Sequence, residues 1–196
     1  MKPMEYASAE AKVDFVDRLV DALIERKGGF VDHPDDRGGA TRWGITERVA
    51  RAHGYAGPMR ELPREEARHI YRRIYWLRPR FDDVAERLPL VAAELFDTGA
   101  NMGPAVAATF LQRALNALNR QGRDYPDLVP DGRIGEKTLG ALDAFLDKRG
   151  RKNGGIVIHR ALEALQGARY LRLAETRPAN ESFLYGWLAN RLGPVE

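Results

Sequence analysis

The chain has 196 residues, of which 44% are hydrophobic and 30% charged. That balance suits a folded globular protein with a real core and excludes a disordered one. Basic residues exceed acidic ones by 31 − 28 = 3, a surplus that suits an anionic polymer only weakly, and the lack of cysteine excludes disulfides and thiolate metal sites.

Helical periodicity runs through nearly every long segment. Residues 8–27 open with Ser8 as N-cap, and Val16, Leu19, Val20, Leu23 and Ile24 recur at spacings of three and four. Gly28 is a natural stop. Two short strands are expected around Gly29–Val31 and Ala40–Ile45, as a small hairpin. A second helix starts near Pro63, with Ala67, Ile70, Tyr71, Ile74 and Tyr75 on one face. Residues 88–97 make a short apolar helix, and "GPAVAATFLQRALNALN" makes another with Val106, Phe110, Leu111, Ala114 and Leu118 inward. A loop rich in Gly, Pro and Asp follows from about Arg120 to Asp131. Further helices fall near 135–148, 155–176 and 180–192. The fold expected is mainly α, with its small β element near 29–45. No flexible linker divides the chain, and the expected division is 1–95 and 96–196.

The segment from Ile24 to Thr46 reads "IERKGGFVDHPDDRGGATRWGIT". Lys27 lies four after Leu23 and three after Ile24, so it continues the inward stripe of the helix. Glu25 continues Asp14, Arg18 and Asp21, the solvated stripe. A lysine therefore stands beside the first Gly pair where the helix end meets the interior or a cleft.

This segment resembles the signature of glycoside hydrolase family 108, the N-acetylmuramidases of phages and bacteria. "IYRRIYW", "LFDTGANMGPAVAATFLQRALN", "PDGRIGEKTLGAL" and "FLYGWLANRL" resemble the later family blocks in the same order. The resemblance implies a lysozyme-like helical fold followed by a helical peptidoglycan-binding region, marked by "LQRALN" and "DGRIGEKT". It also implies cleavage of the β-1,4 bond between N-acetylmuramic acid and N-acetylglucosamine, with no cofactor. The family pattern places a glutamate, the general acid, where this chain has Lys27. A lysine cannot serve as a carboxylic acid held neutral by an apolar wall, so weak or absent activity is expected. Glu25 is the fallback acid if the register shifts by two.

Asp35, Asp36 and Thr41 follow in the order acid position, Asp, Thr, similar to phage-type lysozymes, with the spacing favouring Asp36 over Asp35. The alternative is a plain turn in which either Asp caps backbone N–H groups. Trp43, Tyr75 and Trp76 offer aromatic faces for sugar rings, and Asn101 an amide for an N-acetyl group. Core packing competes for Tyr71, Tyr75 and Trp187, and a cap or turn for Asn101. "DHPDD" fits no calcium loop, and "GEKT" lacks the earlier glycine of a phosphate loop, so neither metal nor nucleotide is expected.

The partner implied is the glycan strand of peptidoglycan, with no nucleic acid and no membrane insertion, and the chain is expected to be a monomer. "MKPMEYASAEAKVDFV" lacks an apolar signal core. The expectation is synthesis in the cytoplasm and action on the wall after delivery by another factor such as a holin.

Overall fold

The computed structural model describes residues 8–32 and 39–193. Its contacts divide the chain into two compact units, 1–78 and 79–196.

The first unit begins with α1 (Ala9–Lys27), capped by the Ser8 hydroxyl, which accepts the Ala11 N–H at 3.1 Å. Phe15, Val16, Val20, Leu23 and Ile24 form its buried stripe. Gly28 ends the helix at φ +75°, and its N–H turns back to the carbonyls of Ile24 and Glu25. Three two-residue strands follow, β1 (Phe30–Val31), β2 (Thr41–Arg42) and β3 (Ile45–Thr46), antiparallel in the order β1-β2-β3. The run expected as one strand over 40–45 is broken by a turn at Trp43–Gly44, which pairs Arg42 with Ile45. Thr46 then caps the short α2 (Glu47–Ala52), accepting the Val49 N–H at 3.4 Å.

After a 3₁₀ turn at Met59–Glu61, α3 (Arg64–Tyr71) continues as a π-helical stretch over Arg72–Leu77. The wider turn re-aims the aromatic run. Tyr71 is buried, while Trp76 is 2% exposed and packs on Phe15 of α1 at 5.9 Å between ring centroids. The stripe of α1 that carries Asp21 is not merely solvated. Asp21 takes a bidentate contact from Arg68 (2.8 and 2.5 Å) and a third bond from Arg64 (3.0 Å). Burial alone would raise its carboxyl, but these guanidiniums outweigh it and hold the pKa below the ordinary value.

The second unit is helical: α4 (Phe81–Ala85), α5 (Pro89–Met102), α6 (Pro104–Leu118), α7 (Glu136–Arg149), α8 (Arg151–Thr176) and α9 (Glu181–Arg191). The segment expected to stop near 97 runs on to Met102. Helix α5 is the hub, packed on α4, α6 and α8. Its side chains Val91, Ala92, Leu95 and Phe96 are all buried.

The segment between α6 and α7 has little regular structure, so its backbone needs partners from side chains. Three amides, two on α6 and one at its C-cap, supply them. Gln112 donates to Asp131 (2.8 Å) and to the Arg133 carbonyl (3.0 Å), and accepts the Gly132 N–H (3.0 Å). Asn116 donates to the Leu128 carbonyl and accepts its N–H, both at 2.8 Å. Asn119 accepts the Gly122 N–H at 2.7 Å and donates to Asp127. Positions 112, 116 and 119 share one helix face, so the polar residues of "LQRALNALN" staple the loop to the helix.

Gln112 is 2% exposed, so Gln112→Leu leaves its loop partners unsatisfied. The expected cost is about 1–3 kcal/mol, read as a lower urea midpoint with an unchanged m-value.

Candidate active site

The site is assembled where α1 ends. Lys27, its last residue, is half-buried. Its stem lies against the Trp43–Gly44 turn: a Cβ built on Gly44 would stand 2.7 Å from Lys27 Cγ, 2.9 Å from Lys27 Cβ and 2.6 Å from Tyr71 Oη. Gly44 is required twice, for this close approach and for its φ of +76°.

The turn itself carries strain. Both central residues of this two-residue hairpin loop have positive φ, Trp43 at +55° and Gly44 at +76°, which is the turn suited to twisted strands. For a tryptophan, that conformation costs about 1–2 kcal/mol. Tertiary bonds hold it. The Trp43 indole N–H donates to the Leu62 carbonyl at 3.0 Å, the Tyr71 hydroxyl donates to the Trp43 carbonyl at 2.9 Å, and the Arg42 guanidinium lies 5.1 Å from the indole centroid. Strain held in this way often marks a functional position.

Tyr71 and Tyr75 stand together on the other side, centroids 5.4 Å apart. Burial, reinforced by Tyr75, pushes the Tyr71 phenol far above its ordinary pKa. Burial raises Tyr75 as well, against the pull of Arg48. Both therefore stay neutral donors over the whole physiological range. Thr41, in β2, is half-buried, and its hydroxyl donates to the Gly39 carbonyl at 3.0 Å.

The structure thus groups Lys27 with the turn that carries Trp43, with Thr41 in the adjoining strand. Tyr75 joins through Tyr71. Trp76 is not among them: its ring is in the core against Phe15, so it has no face for a sugar. Glu25 is exposed and pairs with Arg64 at 3.4 Å, on the opposite side of the helix end from the stripe Lys27 continues. Asn101 lies on α5 in the second unit, donating to the Asp97 carbonyl (2.8 Å) and carboxylate (3.0 Å). Asp35 and Asp36 lie outside the described residues. Sequence reasoning missed Gly44 and the Tyr71 hydroxyl as parts of the site. The signal was present in "RWGIT", where a Gly follows a bulky residue between two β-prone pairs. Among the described residues, no group of three or more His, Asp or Glu could hold a metal ion, and no helix is long and apolar enough to cross a membrane.

Residues 20–103, which contain this whole arrangement, match the family Glycosyl hydrolase 108, and residues 106–192 match the Predicted Peptidoglycan domain. The chain carries a glycosyl hydrolase 108 domain followed by a peptidoglycan-binding domain. Family membership implies a glycoside hydrolase. Over 94% of this chain and 99% of the other, the fold is similar to that of Brucella abortus SagA, at 25% identity and a TM-score of 0.56. No curated protein matches. The glycosyl hydrolase 108 match extends over α5, although that helix packs with α4, α6 and α8 of the second unit. The peptidoglycan domain begins within α6, so the amide-stapled loop belongs to it.

Gly44→Ala forces its Cβ into Lys27 and Tyr71 in an unfavourable backbone region. An expected loss of about 1–3 kcal/mol follows. The Gly44→Ala/Tyr71→Phe double variant should lose less than the sum of the two single changes, because one clashing atom is gone. Denaturation of all four proteins measures that coupling.

Proposed function

We propose that the chain is a peptidoglycan hydrolase of the N-acetylmuramidase type whose general-acid position is occupied by Lys27, so that it binds wall glycan and cleaves it poorly as it stands. The observation that carries this is the position of residue 27. It closes the buried stripe of α1, is half-buried, and its stem lies against a strained turn that a buried tyrosine fastens. No other acid of α1 shares that place: Glu25 is exposed and paired with Arg64.

The chemistry explains why the residue type matters. Glycoside cleavage needs a proton delivered to the leaving oxygen while positive charge grows on the sugar ring. A glutamic acid held neutral by partial burial does this without adding charge. A lysine carries its proton as a compact cation, and a cation beside an oxocarbenium-like centre raises the barrier. In this reading Asp36 or Asp35 and Thr41 position the attacking water, and Trp43 and Tyr75 face the sugar. The setting that fits best is a phage or prophage endolysin, acting as a monomer on the wall after another factor admits it.

A second reading keeps the fold and groove but drops catalysis altogether, leaving a peptidoglycan-binding protein. Lys27 favours it to the extent that no other group takes over proton delivery.

Lys27→Glu separates the two. General acid catalysis is typically worth about 10²–10⁴ in rate, so release of reducing ends from purified sacculi should rise by that order, with muramic acid at the new terminus. Asp36→Asn or Thr41→Val in that background should lower the rate again. A folded Lys27→Glu protein that binds sacculi and releases no ends establishes the binding-protein reading instead.

A further inference from the structure

Within the peptidoglycan-binding domain, positive charge is concentrated at one corner. Residues 147–153 read "DKRGRKN", four cations against one acid, so this segment alone carries a surplus of 4 − 1 = 3, equal to that of the whole chain. It is the bend between α7 and α8. Gly150 closes α7 at φ +77° and is also the N-cap of α8, so a single residue joins the two helices. Lys148, Arg149, Arg151 and Lys152 are crowded onto that bend, and all four are exposed.

The acids around them are engaged or in water. Asp143 takes Arg87 at 2.6 Å, and Asp124, within the field of Lys148 and Arg149, takes Arg120 at 2.9 Å. Asp147 is exposed. Arg151 donates to the Arg87 carbonyl at 3.2 Å, which leaves its charge in place. The side chains of Arg149, Lys152 and Asn153 make no hydrogen bond or ion pair with a described residue.

Beside the bend lies a cavity of about 380 Å³, lined by Leu118 of α6, Phe145 and Arg149 of α7, and Asn153, Gly154 and Val157 of α8. Its floor is apolar. Phe145 is 2% exposed, while Val157 is left 42% exposed. A Cβ on Gly154 would stand 3.1 Å from Phe145 Cε1, 3.3 Å from Leu146 Cδ2 and 3.4 Å from Arg149 Cβ. The missing side chain thus lets α8 close on α7 and leaves the Phe145 ring at the base of the cavity. A small apolar floor and a rim of unengaged donors, Arg149 and Asn153, occur together.

We propose that this corner is where the domain takes a peptide stem of the wall: a methyl group of the stem rests on Leu118, Phe145 and Val157, and its carboxylate is held by Arg149 and Asn153. The inference rests on the reading of the chain as a wall-binding protein and names the part of the polymer that is recognised.

The chemistry selects a stem over other ligands. A terminal alanine carries a methyl and a carboxylate on one carbon, the combination that the floor and rim require. The guanidinium presents parallel N–H donors to the carboxylate, and the Asn153 amide serves the adjoining peptide group. A phosphate polymer would engage the rim and offer nothing to the floor. An uncharged sugar would leave the cations unused. Lys148, Arg151 and Lys152 supply the longer-range attraction, which reaches about 8 Å at physiological salt.

Titration of the full chain with a synthetic stem tetrapeptide ending in D-alanine, followed by backbone amide shifts, tests the site. Shifts should centre on residues 149–157. Arg149→Gln should weaken binding about tenfold or more, as for loss of a charge-assisted hydrogen bond. Val157→Asp, which sets an acid on the floor, should weaken it as much. Both positions are exposed, so an unchanged urea midpoint is expected of each variant. Shifts that centre elsewhere, or binding that Arg149→Gln leaves unchanged, overturn the proposal. Phosphatidylglycerol vesicles that shift the same amides where the peptide does not assign the corner to a membrane surface and overturn it as well. Retention on sacculi separates this site from the reading on which it rests. Retention should fall when an amidase strips the stems. Equal retention on stripped sacculi keeps the wall-binding reading and overturns the peptide site, whereas no retention on either overturns both.

Discussion

A glycine with no side chain to interpose lets the β2–β3 turn rest directly on the end of α1, and the first unit is organised around that contact. The turn reaches the helix only because Gly44 leaves room for the Lys27 stem and the Tyr71 hydroxyl. Its backbone is then locked by Tyr71 from α3 and by the Trp43 indole bond to Leu62. Helix end, sheet turn and α3 thus meet at Gly44, which the Lys27 stem and the Tyr71 hydroxyl both approach. A site built this way is preorganised by its neighbours and not by its own residue.

The second unit solves a different problem. Its helices bury apolar faces in the ordinary way, but the chain between α6 and α7 has few backbone partners of its own. Polar residues on an otherwise apolar helix supply them, at Gln112, Asn116 and Asn119. Such residues are costly inside a helix bundle unless every bond is made. Their spacing, one face of α6 repeated over two turns, is the reason a loop rich in Gly, Pro and Asp adopts one shape.

Much of this was legible in the sequence because it depends on periodicity. The burial of Val20, Leu23 and Ile24 and the exposure of Glu25 follow from the wheel of α1 alone, as do the Ser8 cap and the Gly28 stop. What periodicity could not show was the π-helical stretch at Arg72–Leu77. With its wider turn, an α-helical wheel misplaces the side chains that follow, and Trp76 falls inside against Phe15. The strand expected over 40–45 divided at Trp43 because a tryptophan in a left-handed turn is disfavoured locally and persists only through distant bonds to Leu62 and Tyr71.

The contact at Gly44 also explains how the helix end can accommodate either a lysine or a glutamate at position 27. The atoms of Lys27 nearest the turn are Cβ and Cγ, two methylenes that lysine and glutamate share. Packing at the helix end is therefore blind to which of the two is present, while the charge displayed beyond Cγ is reversed. A change between them leaves the Cβ and Cγ contact with the Gly44 turn as it is. The stem of residue 27 therefore answers to the turn, and the charge at its tip is set independently of that contact.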